Sequence, residues 1–230
     1  MTIGKGVHPT IGTIVSVNVG EPREVEWAGR RVLTAIWKWP KDGRISVQRD
    51  NLAGDAQADL RVHGGPDKAL YTYAAEDYRW WQDQLGVALG PATFGENLTT
   101  EGVDLTTSVV GELWSVGTTL LQVTQPRMPC FKLGIRMADA AFVQRFDEAR
   151  RLGVYCSIQD EGHIGAGDSI VLVARPAHGM TAASIAEIQD TKQAGDLRRL
   201  RDIEDVPIGW RDWANRQLTR ADGRAGTLEI

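Results

Sequence analysis

Between Thr10 and Gln48 the chain runs in short, β-branched stretches of alternating character: Ile11 to Val19, Arg31 to Trp37 and Ile45 to Gln48. Turn chemistry separates them, with Gly20 and Pro22, Ala28 and Gly29, and Asp42 and Gly43 in the gaps. A period of two puts one face of each strand against a core and the other toward solvent, so these runs predict a β meander. Further short strands are expected at Ala69 to Tyr73, Asn97 to Thr99, Glu112 to Ser115, Thr119 to Val123, Val154 to Gln159 and Ser169 to Ala174. Two helical stripes interrupt them. Glu76 to Leu85 carries Tyr78, Trp81 and Leu85, and Asp139 to Arg150 carries Phe142, Val143, Phe146 and Ala149. A parallel α/β sheet would need a helix in nearly every crossover, and too few are present. The expected fold is mainly β, a β-barrel with a few peripheral helices.

The pattern changes after Met180. Thr181 can cap a helix carrying Ile185 and Ile188, Leu197, Leu200 and Ile203 mark a second, and Trp210, Trp213, Ala214 and Leu218 a third. The predicted organisation is a barrel domain over residues 1–175 and a small C-terminal three-helix module over 176–230. Three short helices bury too little surface to stand alone, so they either dock on the barrel or pair with a second chain, and a homodimer is the expected form. Arg198, Arg199 and Arg201 are interleaved with Asp196, Asp202, Glu204 and Asp205, the composition of a solvated face rather than of a DNA-reading helix.

The net charge of −4 argues against a protein that coats nucleic acid or an anionic membrane, and leaves room only for a focal anion site. Two cysteines, Cys130 and Cys156, do not make a disulfide framework in a chain of 230 residues. With no signal-peptide pattern at Met1 to Pro9 and no apolar run of membrane-spanning length, a reduced, cytoplasmic protein is expected.

Three constellations could carry chemistry. In Gln125-Pro126-Arg127-Met128-Pro129-Cys130-Phe131-Lys132 the two prolines are expected to hold the backbone extended and out of a strand ladder, setting a thiol between two cations. A helix starting near Cys130 would add the positive end of its dipole. Such a cysteine suits a soft metal or an electrophile, although free cysteines are also common core residues. In Arg61-Val62-His63-Gly64-Gly65-Pro66-Asp67-Lys68 the paired glycines allow close backbone approach to an anion, with Arg61, His63 and Lys68 as cationic or hydrogen-bonding groups. A plain tight turn explains the same residues. In Phe94-Gly95-Glu96-Asn97-Leu98, Asn97 could present an amide to a heterocycle edge, or simply open a strand. The stretch Leu113 to Ala138 holds no Asp or Glu while containing Arg127, Cys130, Lys132 and Arg136, which suits an anionic ligand. CxxC, HExxH, G-x-S-x-G and G-x-G-x-x-G patterns are all absent, so a metal, if used, would come with a cofactor.

Together, Asn51 to Lys68, Phe94 to Thr100, Gln125 to Cys130 and Glu161 to Asp168 resemble the MOSC domain, named for the C-terminal domain of molybdenum cofactor sulfurase, and within it the bacterial YiiM-like branch. The resemblance covers about Ile11 to Ala174, and the helical tail is similar to that branch's C-terminal helices. It implies a β-barrel, a molybdopterin-type molybdenum cofactor in a basic pocket, and reduction of N-hydroxylated compounds such as hydroxylaminopurines. By position it implies Cys130 as the molybdenum ligand or persulfide carrier, and Arg61 and His63 as the basic pair facing it. Lys68, Asn97, Arg127 and Lys132 fall where the pterin and its phosphate would be held. His63, which can titrate near neutral pH, is the candidate proton donor. With no flavin or iron–sulfur motif in the chain, an electron-donating reductase partner is implied. Two other readings share the pocket: a carrier of molybdenum cofactor or cysteine-bound sulfur, and a non-enzymatic anion-sensing adaptor.

Overall fold

A computed structural model describes residues 8–56, 58 and 64–225 of the chain. Seven strands close a barrel: β1 (Thr10–Val19), β7 (Leu70–Ala74), β8 (Leu98–Glu101), β9 (Leu113–Val116), β10 (Thr119–Pro126), β11 (Val154–Asp160) and β13 (Ser169–Ala174). Their order is β1-β13-β9-β10-β11-β7-β8, and β1 closes the ring by pairing with β13 through Thr10 and Val171 and with β8 through Thr13 and Glu101. All of these pairings are antiparallel except β7 with β8. Closure removes the sheet edges that a run of short strands would otherwise expose.

The smaller strands decorate this ring. β2 (Arg23–Trp27), a strand absent from the runs predicted above, pairs with β3 (Arg30–Thr34) in a hairpin whose turn falls at the expected Ala28 and Gly29, with φ values of 51° and 73°, the two positive angles a tight primed turn requires. β4 (Trp39–Pro40) extends β1, while β5 (Arg44–Gln48), β6 (Asn51–Leu52) and β12 (Gly162–Gly165) make a three-stranded flap.

β7 shows how the barrel organises its surroundings. All five of its residues are buried, and alternation sends Leu70 and Ala74 into the barrel interior while Tyr71 and Tyr73 point outward. The inner core contains Ile14, Val17, Trp114, Leu121, Val123 and Ile170. The outward tyrosines meet an aromatic layer of Tyr78, Trp81, Phe94, Phe142 and Phe146. Phe94 comes from the loop before β8, and the other four rings are brought by helix α1 (Ala75–Leu85) and helix α3 (Phe142–Glu148), whose stripes are those the sequence predicts. The predicted helix from Asp139 begins three residues later, because Asp139 Oδ1 accepts from the Ala141 amide and turns the chain before it coils. α2 (Phe131–Arg136) starts directly after Cys130, which meets the condition set above for a helix dipole at the thiol.

One expectation about the prolines is corrected. The ladder of β10 with β11 runs through Gln125 and Pro126, pairing Pro126 with Val154 after an irregularity between Val123 and Gln125. A proline at the end of a strand, just past a bulge, breaks few bonds of the ladder, which is where sheets tolerate it. The chain leaves the sheet only at Arg127.

The tail forms α4 (Ala182–Thr191), α5 (Ala194–Asp202) and α6 (Ile208–Ala225). Thr181 caps α4 by accepting from the Ser184 amide (3.0 Å). These helices dock on the barrel. Val110 packs with Met180, Ile185, Leu197, Leu200 and Ala214, and its amide donates to the Met180 carbonyl (2.9 Å).

Candidate functional site

The end of β10, the start of α2 and the turn before β7 meet on one side of the barrel. Cys130 is the N-cap of α2, in extended conformation and half-buried. Arg127 and Lys132 flank it with only 5% and 9% of their surfaces exposed. The 3-10 turn Pro66–Lys68 brings Lys68 to the same place, held there by Thr124, whose hydroxyl donates to the Asp67 carbonyl (2.6 Å). The amides of Lys68 and Ala69 donate to the Gly65 and Pro66 carbonyls and close this turn.

These side chains line a pocket of about 90 Å³, within about 590 Å³ of empty space that includes its open mouth. Lys68, Asn97, Arg127, Cys130 and Lys132, five of the seven residues singled out in the sequence, share its wall. Arg61 and His63 lie outside the described residues. Lys38 adds a fourth cation, and no described residue lining the pocket is acidic. Arg127 stands over the rings of Tyr71 and Phe146 at 5.5 and 5.6 Å, and its buried Nη1 has no hydrogen-bond partner among the described residues. A buried donor without a partner is costly, and an anion in the pocket would satisfy it. Beside it, burial raises the pKa of the Tyr155 hydroxyl against the opposing pull of Arg127, so this phenol stays neutral.

Behind the pocket wall lies a network that the sequence does not display. Lys38, 8% exposed, pairs with the Asp55 carboxylate, which also accepts from the Gly20 amide (2.8 Å) and from Asn97 Nδ2 (2.9 Å). Burial lowers the pKa of Lys38, and Asp55 opposes that shift. Asn97 in turn accepts from the Tyr71 amide (3.2 Å). Its amide is thus committed to the scaffold, and its place in the wall is to fix Asp55 rather than to reach freely for a heterocycle.

Gly95, at φ 84°, lets the chain pass Ile36, where a Cβ would lie 2.7 Å from Ile36 Cγ1. Thr34, Ala35 and Ile36 complete the wall, because β3 ends at Thr34 instead of running on to Trp37. Below Gly95, Glu96 is fully buried and accepts from the Tyr78 hydroxyl (2.7 Å), the Thr99 hydroxyl (2.8 Å) and the Ala92 amide (2.6 Å). Burial raises its pKa, and the Tyr78 hydrogen bond works the other way. The sequence placed Glu96 in a motif without assigning it this role. Its one signal is a lone acid between Gly95 and Asn97, with no other charged residue from Leu85 to Thr100.

Chemically, the arrangement is a thiol at the rim of a cationic pocket with a spare buried guanidinium donor. It can hold an anion and present sulfur to whatever the anion carries. Among the described residues no group of three or more His, Cys, Asp and Glu could hold a metal ion unaided. No described helix is long and apolar enough to cross a membrane.

Comparison with known proteins accords with this geometry. Residues 59–171 match the MOSC domain family model. The chain is 32% identical over 201 residues to the uncharacterized protein YflK of Bacillus subtilis, covering 86% of this chain and 91% of that one. It is 36% identical over 146 residues to protein YiiM of Escherichia coli, covering 62% of this chain and 65% of YiiM. A protein of Gibberella moniliformis named reductase is 28% identical over 172 residues, which span 73% of this chain and 30% of that protein. The crystal structure of YiiM from Geobacillus stearothermophilus superposes with a TM-score of 0.76 at 28% identity, covering 90% of this chain and 99% of that one. Fold, motifs and relatives agree that the chain belongs to the MOSC family, in its YiiM-like branch.

Proposed function

We propose that the protein is a molybdenum-cofactor-dependent reductase of N-hydroxylated compounds, with Cys130 as the protein ligand to the metal. The observation that carries this reading is the half-buried Cys130 thiol on a pocket lined by Lys38, Lys68, Arg127 and Lys132 and by no described acid. The reductase name of the fungal relative supports the reaction class.

The residues present fit an anionic, sulfur-ligated cofactor. Arg127, with its unpartnered Nη1, and Lys68 and Lys132 would hold its anionic groups, and Cys130 would supply a soft sulfur ligand. Bound there, the cofactor supplies a two-electron redox centre. The remainder falls to the chain. Asp55, behind the wall, fixes Lys38 and Asn97 in place, and the aromatic layer beneath Arg127 keeps water from its guanidinium. The reaction takes an N-hydroxylamine, two electrons and two protons to the amine and water, with cleavage of the N–O bond. His63 is assigned to protonate the departing oxygen, and a separate reductase partner donates the electrons.

The test is metal and pterin analysis of protein from a cofactor-sufficient host, beside a Cys130→Ser variant. It is coupled to reduction of an N-hydroxylated purine by an artificial electron donor. Near-stoichiometric molybdenum and turnover are expected in the parent, with a loss of at least about 100-fold in rate on Cys130→Ser. Equal rates in both proteins would remove Cys130 from the chemistry, and pterin without turnover would favour a carrier.

A further inference from the structure

Cys130 lies on two cavities. Lys68, Cys130 and Tyr155 form the partition between the cationic pocket and a second, roomier groove of about 610 Å³. The tail helix α6 contributes Trp210, Trp213 and Arg216 to the lining of that groove. These residues are three apart, so they lie on one side of the helix, and they line the same groove as the thiol. The two indoles meet edge to face, 5.5 Å apart at 79°.

This wall is fastened to the site. Trp210 Nε1 donates to Gln125 Oε1 (2.6 Å), and Gln125 Nε2 donates to the Asp67 carbonyl (3.3 Å). One side chain thereby ties the tail helix, the end of β10 and the turn that carries Lys68. A tail that served only as a cap over the barrel would have no need of an anchor beside the cysteine. On the same groove, Gln189 has a buried Oε1 without a hydrogen-bond partner among the described residues, an acceptor left over for a donor. Arg216 is exposed and makes no ion pair among the described residues.

The two cavities differ in character. The inner one is narrow and lined by four cations, the outer one wide, aromatic-walled and of the size that takes a small organic molecule. We propose that the groove is the substrate half of the site. In it a planar heteroaromatic ring packs against the Trp213 and Trp210 face, with Arg216 at the edge of the ring and the N-hydroxylated substituent directed at Cys130. The C-terminal helices thus set substrate specificity, and Gln125 is the positioning residue that holds them in register. This inference rests on the reductase reading above.

The experiment uses the full-length, cofactor-loaded protein with Trp213→Ala, Trp213→Phe and Arg216→Ala. Three quantities are read: the Kd of an N-hydroxylated purine by calorimetry, its KM, and molybdenum and pterin content. Stacking of a ring on an indole predicts that Trp213→Ala raises Kd and KM at least about fivefold, that phenylalanine restores part of the loss, and that cofactor content stays at the parental level. Arg216→Ala, at an exposed position, weakens binding in the same direction without a risk to folding.

Unchanged Kd in both Trp213→Ala and Arg216→Ala would overturn the proposal while leaving the reductase reading intact. A fall in molybdenum and pterin on Trp213→Ala would also overturn it, by showing that the cofactor itself fills the groove. Binding that depends on Trp213 in a protein that never turns over would uphold the groove and sink the reductase reading.

Discussion

Cys156 lies in the barrel interior, fully buried against the Thr72 hydroxyl at 3.9 Å, whereas Cys130 stands half-buried at the pocket rim. Burial pushes the Cys156 thiol up to about 12. A thiol raised in the folded state stabilises that state in full below its ordinary pKa of 9.0, and the contribution is lost as pH climbs toward about 12. Native protein should therefore yield one reactive thiol to an aromatic disulfide reagent at pH 8, and two after unfolding in denaturant. In the alkaline range, Cys156→Val should show a shallower loss of stability between pH 9 and 12 than the parent, followed by urea titration at each pH. Titration of two thiols in the native protein would contradict the burial of Cys156. From the sequence the two cysteines are distinguishable only by neighbours: Cys130 has prolines and cations beside it, and Cys156 sits in a β-branched run.

Several elements depend on one carboxylate. Asp55, in the turn after β6, accepts from the end of β1 at Gly20, pairs with Lys38 beyond β3, and anchors Asn97 at the entry to β8. Side-chain exposure is 8% for Lys38 and 1% for Asp55, so the pair is shielded from water. Removing one partner of such a pair leaves the other charge buried and uncompensated. Asp55→Ala should cost about 3–5 kcal/mol in urea denaturation. Asp55→Ala combined with Lys38→Met should recover a large part of that loss, since no charge is then stranded. A single variant within about 0.5 kcal/mol of the parent would show that the pair is solvated. None of this connectivity can be read along the chain, because its members stand at positions 20, 38, 55 and 97 and meet only when the barrel closes.

The tail and the barrel share their cores. Helix α4 sends Ala182 into the barrel interior, Ala186 into the aromatic layer, and Ile185 and Ile188 into the cluster of the tail helices. A β-bridge between Val109 and Thr181 and the Trp210–Gln125 hydrogen bond add further ties. Elements that bury one another's apolar faces unfold together. Urea unfolding followed by far-ultraviolet circular dichroism and by tryptophan fluorescence should give coincident single transitions. A separate, earlier helical transition would show a tail that folds by itself.

What the sequence determined by itself is the local and the periodic. Alternation of β-branched residues set most of the strands, the Ala28-Gly29 pair set a turn, Thr181 set a helix cap, and four short motifs pointed to the family and to Cys130. Strand period, turn chemistry and capping act between residues close in the chain, so they are legible there. Tertiary structure alone decided that Pro126 remains in the ladder, that Asn97 serves Asp55, that Glu96 is buried against Tyr78, and that α6 and the thiol line one groove. These are contacts between segments far apart in sequence, fixed by the order and closure of the strands and by which buried polar groups could find partners once water was excluded.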